Sequence, residues 1–159
     1  MLMKKTAWLA LILLLFTVLD LACGTLGGFD EINFPTSKEN LERAIDSLYS
    51  SHPEYKIPPE WETYNDWSKR GYDFLESRIF YFQLPPNEMY YVSFIGDSAM
   101  LADTTQILIS IRAVNKGTDY WYLRSDLDSR EQQRIQARFN NEIVSKLELY
   151  TNSKSRKDD

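Results

Sequence analysis

The chain has 159 residues, a net charge of −5, one cysteine and one histidine. The acidic balance argues against nucleic acid as a partner, because phosphate backbones are held by clustered Lys and Arg. A single thiol excludes an internal disulfide, one histidine leaves little for a zinc site or a nucleophile–base pair, and the length suits one domain with its own core.

In chain order, MLMKK supplies a positive start, and Thr6 to Ala22 is apolar apart from Thr6, Thr17 and Asp20. That pattern is a secretory signal. A membrane-spanning helix needs about 20 apolar residues, so the run is short for a retained anchor. Cys23 then stands where VLDLACGTLGG passes from apolar to glycine-rich. LDLAC resembles the lipobox of bacterial lipoproteins, with Ala22 as the small residue before the cysteine. Asp20 and Leu21 occupy positions where the family has an aliphatic and a small residue.

The resemblance implies that residues 1–22 are removed as a signal peptide. Cys23 is then the lipid-attachment site, its acyl chains, palmitate among them, holding the protein to a membrane. Gly24, in place of an aspartate, implies the outer membrane by similarity to enteric lipoproteins. Cleavage after Gly24 and a retained N-terminal anchor are the alternatives. Removing residues 1–22 takes away Lys4, Lys5 and Asp20 and leaves 16 basic and 22 acidic residues, a net charge of −6.

Residues 23–34 read as a lipid-attached tether, in which Phe29, Ile32 and Phe34 could form a short edge strand, and residues 35–151 as one domain. Thr36 with Glu39 makes a capping box, and Leu41, Ala44, Ile45, Leu48 and Tyr49 form the stripe of an amphipathic helix that Pro53 ends. Past Pro58 and Pro59, the three-residue spacing of Trp61, Tyr64 and Trp67 suits a short helix ending at Gly71, or an aromatic loop on the core. From Ser77 the period becomes two. SRIFYFQL and MYYVSFI, parted by PPNE, read as a hairpin that buries Phe80, Phe82, Leu84, Tyr90, Val92 and Phe94. QILISIRAV, with Ile107, Ile109, Ile111 and Ala113 on one side, and DYWYLR form a second hairpin around Gly117.

The last element starts at a cap made by Asp128 and Glu131, and Ile135, Phe139, Ile143 and Leu147 share a face with Val144 and Tyr150. The polar tail, 152–159, is expected to fray as a disordered end. The predicted fold class is α+β: a helix, an aromatic segment, a four-stranded, mainly antiparallel sheet of two hairpins, and a helix packed on the sheet.

Chemistry is sparse in this pattern. His52 falls at a helix end, where a cationic side chain suits the dipole. Asp97 and Asp103, in GDSAMLADTT, are the only carboxylates close to a glycosidase pairing, and they fit turn-forming aspartates better. No catalytic residue, metal ligand or cofactor is assigned. Aromatics are the one excess, twelve of them between Tyr55 and Phe94. Trp61, Tyr64, Trp67, Tyr81 and Tyr91 form the candidate binding surface if their rings are open. The expected function is a non-enzymatic, lipid-anchored envelope protein that binds another envelope protein as an accessory, assembly or inhibitory subunit. The alternative is a glycan-binding module using those aromatics, and a hydrolase built on Asp97 and Asp103 ranks third.

Overall fold

The computed structural model describes residues 28–71 and 75–157. Cys23 and the rest of the export and lipobox segment lie outside the described residues, as do Tyr72 and Phe74. The strands are β1 (Ile32–Phe34), β2 (Ser77–Phe82), β3 (Glu88–Ile95), β4 (Ile107–Asn115), β5 (Trp121–Tyr122) and β6 (Arg156–Lys157). The α-helical segments are α1 (Lys38–Ser51), α2 (Ser98–Leu101), α3 (Ser129–Phe139) and α4 (Ser145–Thr151), with a π turn at Asn140–Val144 joining the last two.

Every pairing is antiparallel, in the order β2-β3-β4-β1-β6, and β5 pairs with β4 beyond β1. The fold is α+β, with six strands among the described residues where the two predicted hairpins account for four. No helix among the described residues is long and apolar enough to cross a membrane.

Two short pieces make the difference in strand number. Ile32 and Phe34 point into the core opposite Ile109 and Ile107, and the Phe29 N–H donates to the Ile111 carbonyl at 2.9 Å. The segment expected to be tether is therefore part of the fold from Phe29 onward, and β1 is an inner strand. At the other end, Glu148 accepts from the backbone N–H and hydroxyl of Ser155 at 3.0 and 2.9 Å and pairs with Lys154 at 2.8 Å. Arg156 and Lys157 then lie along β1. A polar tail has no apolar reason to order; one carboxylate with three donors supplies a different one.

The helices follow their sequence signals with local shifts. Ser37, rather than Thr36, caps α1, accepting from the Asn40 N–H at 3.2 Å, while the Thr36 hydroxyl takes the Asn40 side chain at 2.9 Å. The stripe Leu41, Ala44, Ile45 and Leu48 is buried. Asp128 caps α3 through the Glu131 N–H at 2.8 Å.

Ile135, Phe139, Ile143 and Leu147 are all buried, although a strict four-residue repeat on an α-helix advances by about 40° per step. The wider π turn takes up that drift and keeps the four on one face. Tyr150 is exposed, and so is Leu84.

The sheet is covered on both faces. Phe80, Phe82, Tyr90, Val92, Phe94, Ile107, Ile109 and Ile111 meet α1, α3 and α4 in the larger core. Tyr91 pairs with Ala113 but Val92 pairs with Ile111, so Arg112 is the extra residue of a β-bulge. The bulge shifts the alternation by one, turning Ala113 to the second face and giving Val114 the inward place.

Candidate functional site

The five aromatic residues singled out in the sequence are brought together on the second face of the sheet. Residues Pro53–Tyr55, Pro59–Tyr64 and Ser68–Arg70 form three 3-10 turns, the last closed by Gly71 with φ of 82°. In a 3-10 turn, side chains three apart eclipse, so Trp61 and Tyr64 descend on the same side. Trp67 stacks on Tyr91 with centroids 4.1 Å apart, and Trp61 packs edge-on against Tyr81 at 5.0 Å and Tyr64 at 5.7 Å. Trp121, at 5.1 Å from Trp67, completes the layer and donates its Nε1–H to the Tyr64 carbonyl at 2.9 Å.

These rings face one another, not solvent. Trp67, Tyr81 and Tyr91 are only 6, 6 and 2 % exposed, and Trp61 and Tyr64 are half-buried beside them. The expected open aromatic surface is a second, smaller core. Gly117 shows how close the packing is: its φ is 78°, and a Cβ there would stand 3.2 Å from the Trp61 ring.

The other candidates stand apart from this layer. Asp97 caps α2, accepting from the N–H groups of Ala99 and Met100, both at 2.9 Å. Asp103 accepts from the hydroxyl and N–H of Thr105, both at 2.7 Å, and those bonds hold its carboxyl below the usual range. Each aspartate serves its own turn. His52 is the C-cap of α1 and its Nδ1 lies 3.0 Å from Glu54 on the surface. No group of three or more His, Cys, Asp or Glu among the described residues could hold a metal ion.

The best-organised polar cluster was not among the sequence candidates. Glu88, the first residue of β3, is fully buried. Its Oε1 accepts from Arg134 at 2.5 Å, and its Oε2 accepts from the Tyr90 hydroxyl at 2.9 Å and from Arg138 at 3.4 Å. Arg134 also binds Glu131, which takes Lys116 at 2.7 Å, and Arg138 also binds Glu142 at 2.9 Å.

The cluster shifts the titration of its members. Arg134 holds the Glu131 carboxyl down at about 2, with Lys116 adding to the effect. Burial first, and the Glu88 charge second, push the Tyr90 phenol well above its ordinary value. The signal lay in the alternation. Glu88 is in phase with Tyr90, Val92 and Phe94, so an inward carboxylate required a cation, and Arg134 and Arg138 flank the buried Ile135 and Phe139 one turn apart.

Arg138 carries this cluster to the surface. Its guanidinium lies 4.7 Å over the Phe82 ring and donates to the carbonyls of Leu84 at 2.7 Å and Pro86 at 2.6 Å. Beside that loop, Pro53, Ile57, Pro58, Pro59, Tyr81 and Gln83 line a groove of about 310 Å³ with Glu54, Lys56 and Glu60 at its edge.

A second groove, about 500 Å³, runs between α3 and the chain around Asp30 and Lys157. It is polar, and the Gln136 Oε1 in it is buried without a hydrogen-bond partner. Compared with known proteins, the chain matches no family model, no curated protein and no solved structure.

Proposed function

We propose that this is a lipid-anchored protein of the bacterial cell envelope that works by binding another protein there, as an accessory, assembly or inhibitory subunit and not as an enzyme. The observation that carries the reading is the short distance between two features. Cys23 closes the lipobox-like LDLAC, and the fold begins at Phe29, whose side chain is buried and whose N–H is bonded to β4. Only residues 24–28 lie between, a reach of about 20 Å at full extension. An acyl group on Cys23 would hold the domain against its membrane, where a partner in the same envelope meets it repeatedly. The outer membrane is the proposed location, from Gly24 after the cysteine.

The clamped loop and the proline-lined groove support binding, since ordered surface costs little entropy to engage. The glycan reading needs open ring faces, and the burial of Trp67, Tyr81 and Tyr91 removes its main support. The direct experiment is the intact mass of the protein from its native membranes beside a Cys23→Ser variant. A chain beginning at Cys23 with added acyl mass, absent from the variant, is the expected result. A chain beginning at Thr25, or one retaining Met1, would refute lipid attachment.

A further inference from the structure

The loop joining β2 to β3, Gln83–Asn87, is exposed along its whole length, and Leu84 is 70 % exposed. A single exposed leucine needs no explanation. This one sits on a backbone fixed from beneath. Arg138, whose side chain is only 10 % exposed, donates to the carbonyls on both sides of Pro85, lies over Phe82, and is itself held by Glu142 and the buried Glu88. Asn87 ties the other limb to the Tyr81 hydroxyl at 3.2 Å.

Five of the six prolines in the chain gather here: Pro85 and Pro86 in the loop, and Pro53, Pro58 and Pro59 along the adjoining groove. Proline fixes φ and carries no N–H, so this end of the molecule is stiff and offers mostly acceptors. Burying a carboxylate between two guanidiniums is a costly way to close a hairpin. A two-residue turn would close it with no buried charge.

We propose that the Leu84–Pro86 tip and the proline-lined groove beside it form the docking face for the protein partner. Leu84 is the knob, entering an apolar pocket on the partner. Glu54 and Glu60, two carboxylates to the one cation Lys56 in the groove, face basic side chains on the rim of that pocket, in keeping with the acidic balance of the chain. A rigid apolar anchor surrounded by ordered polar atoms is the arrangement that concentrates binding energy in few residues. This proposal rests on the protein-binding reading above and names its surface.

The test uses the full chain in its own cells, with a photo-reactive residue placed singly at positions 83, 59, 100, 120 and 149. Leu149, on α4, is 78 % exposed and serves as the apolar control. Position 83 should give one adduct of defined mass and position 149 none. Adding Leu84→Asp to the position-83 chain should cut the adduct at least tenfold with an unchanged Tm. Mass spectrometry of the adduct should find the crosslink beside an apolar pocket with a Lys or Arg rim.

An adduct from 100, 120 or 149 but not from 83 or 59 would overturn this face and leave protein binding standing. No adduct from any position would overturn both. An adduct at 83 with phospholipid would replace the protein partner with the membrane surface. Equal yield from the Leu84→Asp chain would also overturn the proposal.

Discussion

At the scale of single residues, Glu88 is a buried carboxylate on which two arginines converge. Removing it takes one carboxylate partner from each of Arg134 and Arg138 and leaves a cavity beside them. Breaking a buried pair in this way costs about 3–5 kcal/mol; Glu88→Ala should fall near the lower figure, because Arg134 keeps Glu131 and partial access to water. Glu88→Gln retains the shape and loses the charge, and should cost about 2 kcal/mol in urea unfolding.

Glu131 gives the pH dependence. Its carboxyl is held at about 2 in the fold and titrates near 4.5 when free, so the unfolded chain binds the proton first as pH falls. The stabilisation is complete above about 4.5 and is lost as pH drops through about 2. Unfolding free energy measured from pH 7 to pH 2 should decline in that window, and Glu131→Gln should flatten the decline.

At the scale of elements, the π turn is the feature with the clearest test. Deleting Asn141, which is exposed, turns Asn140–Val144 into ordinary α-helix and leaves Phe139, Ile143, Val144 and Leu147 on one stripe. Stability should change by about 1 kcal/mol or less. Deleting Ala137 instead rotates everything after it by about 100°. It carries Phe139 out of the core, and the cost should exceed about 4 kcal/mol. Thermal unfolding of the two deletions distinguishes them.

The same elements show what the sequence made legible. Periodicity found α1, the helix from Asp128 onward and the three long strands β2, β3 and β4, because each buries one face and must repeat accordingly; of the fourth expected strand only Trp121–Tyr122 pairs. It also marked Trp61, Tyr64 and Trp67 as a group: the three-residue spacing is the period of the 3-10 turn that holds Trp61 and Tyr64, and Trp67 caps the next one. The misses are of another kind. The bulge at Arg112, the pairing of Arg156–Lys157 with β1, and the clamp of Arg138 on Leu84 and Pro86 each depend on partners far apart in the chain. No local pattern announces such contacts. The burial of Tyr81 and Tyr91 belongs with them, because an alternating strand shows that two faces differ without showing what covers the second.

At the scale of the whole molecule, were Cys23 acylated as proposed, the span to Phe29 would set how far the domain stands from its membrane. Inserting twelve Gly and Ser residues after Thr25 adds about 10 Å of mean reach. The insertion leaves the sequence of residues 28–157 intact, so Tm should be unchanged. If the partner is held in the same membrane, the adduct at position 83 should weaken by several-fold as effective concentration falls.

Two borders of the sheet, β2 and β6, carry a last consequence. On β2 the Ile79 carbonyl is occupied by the Tyr49 hydroxyl at 2.7 Å, and that ring lies against Phe80. On the opposite side β6 is two residues long and both are cations. Neither border invites another strand. At these two borders one phenol and two basic side chains oppose the addition of a strand from a neighbouring copy.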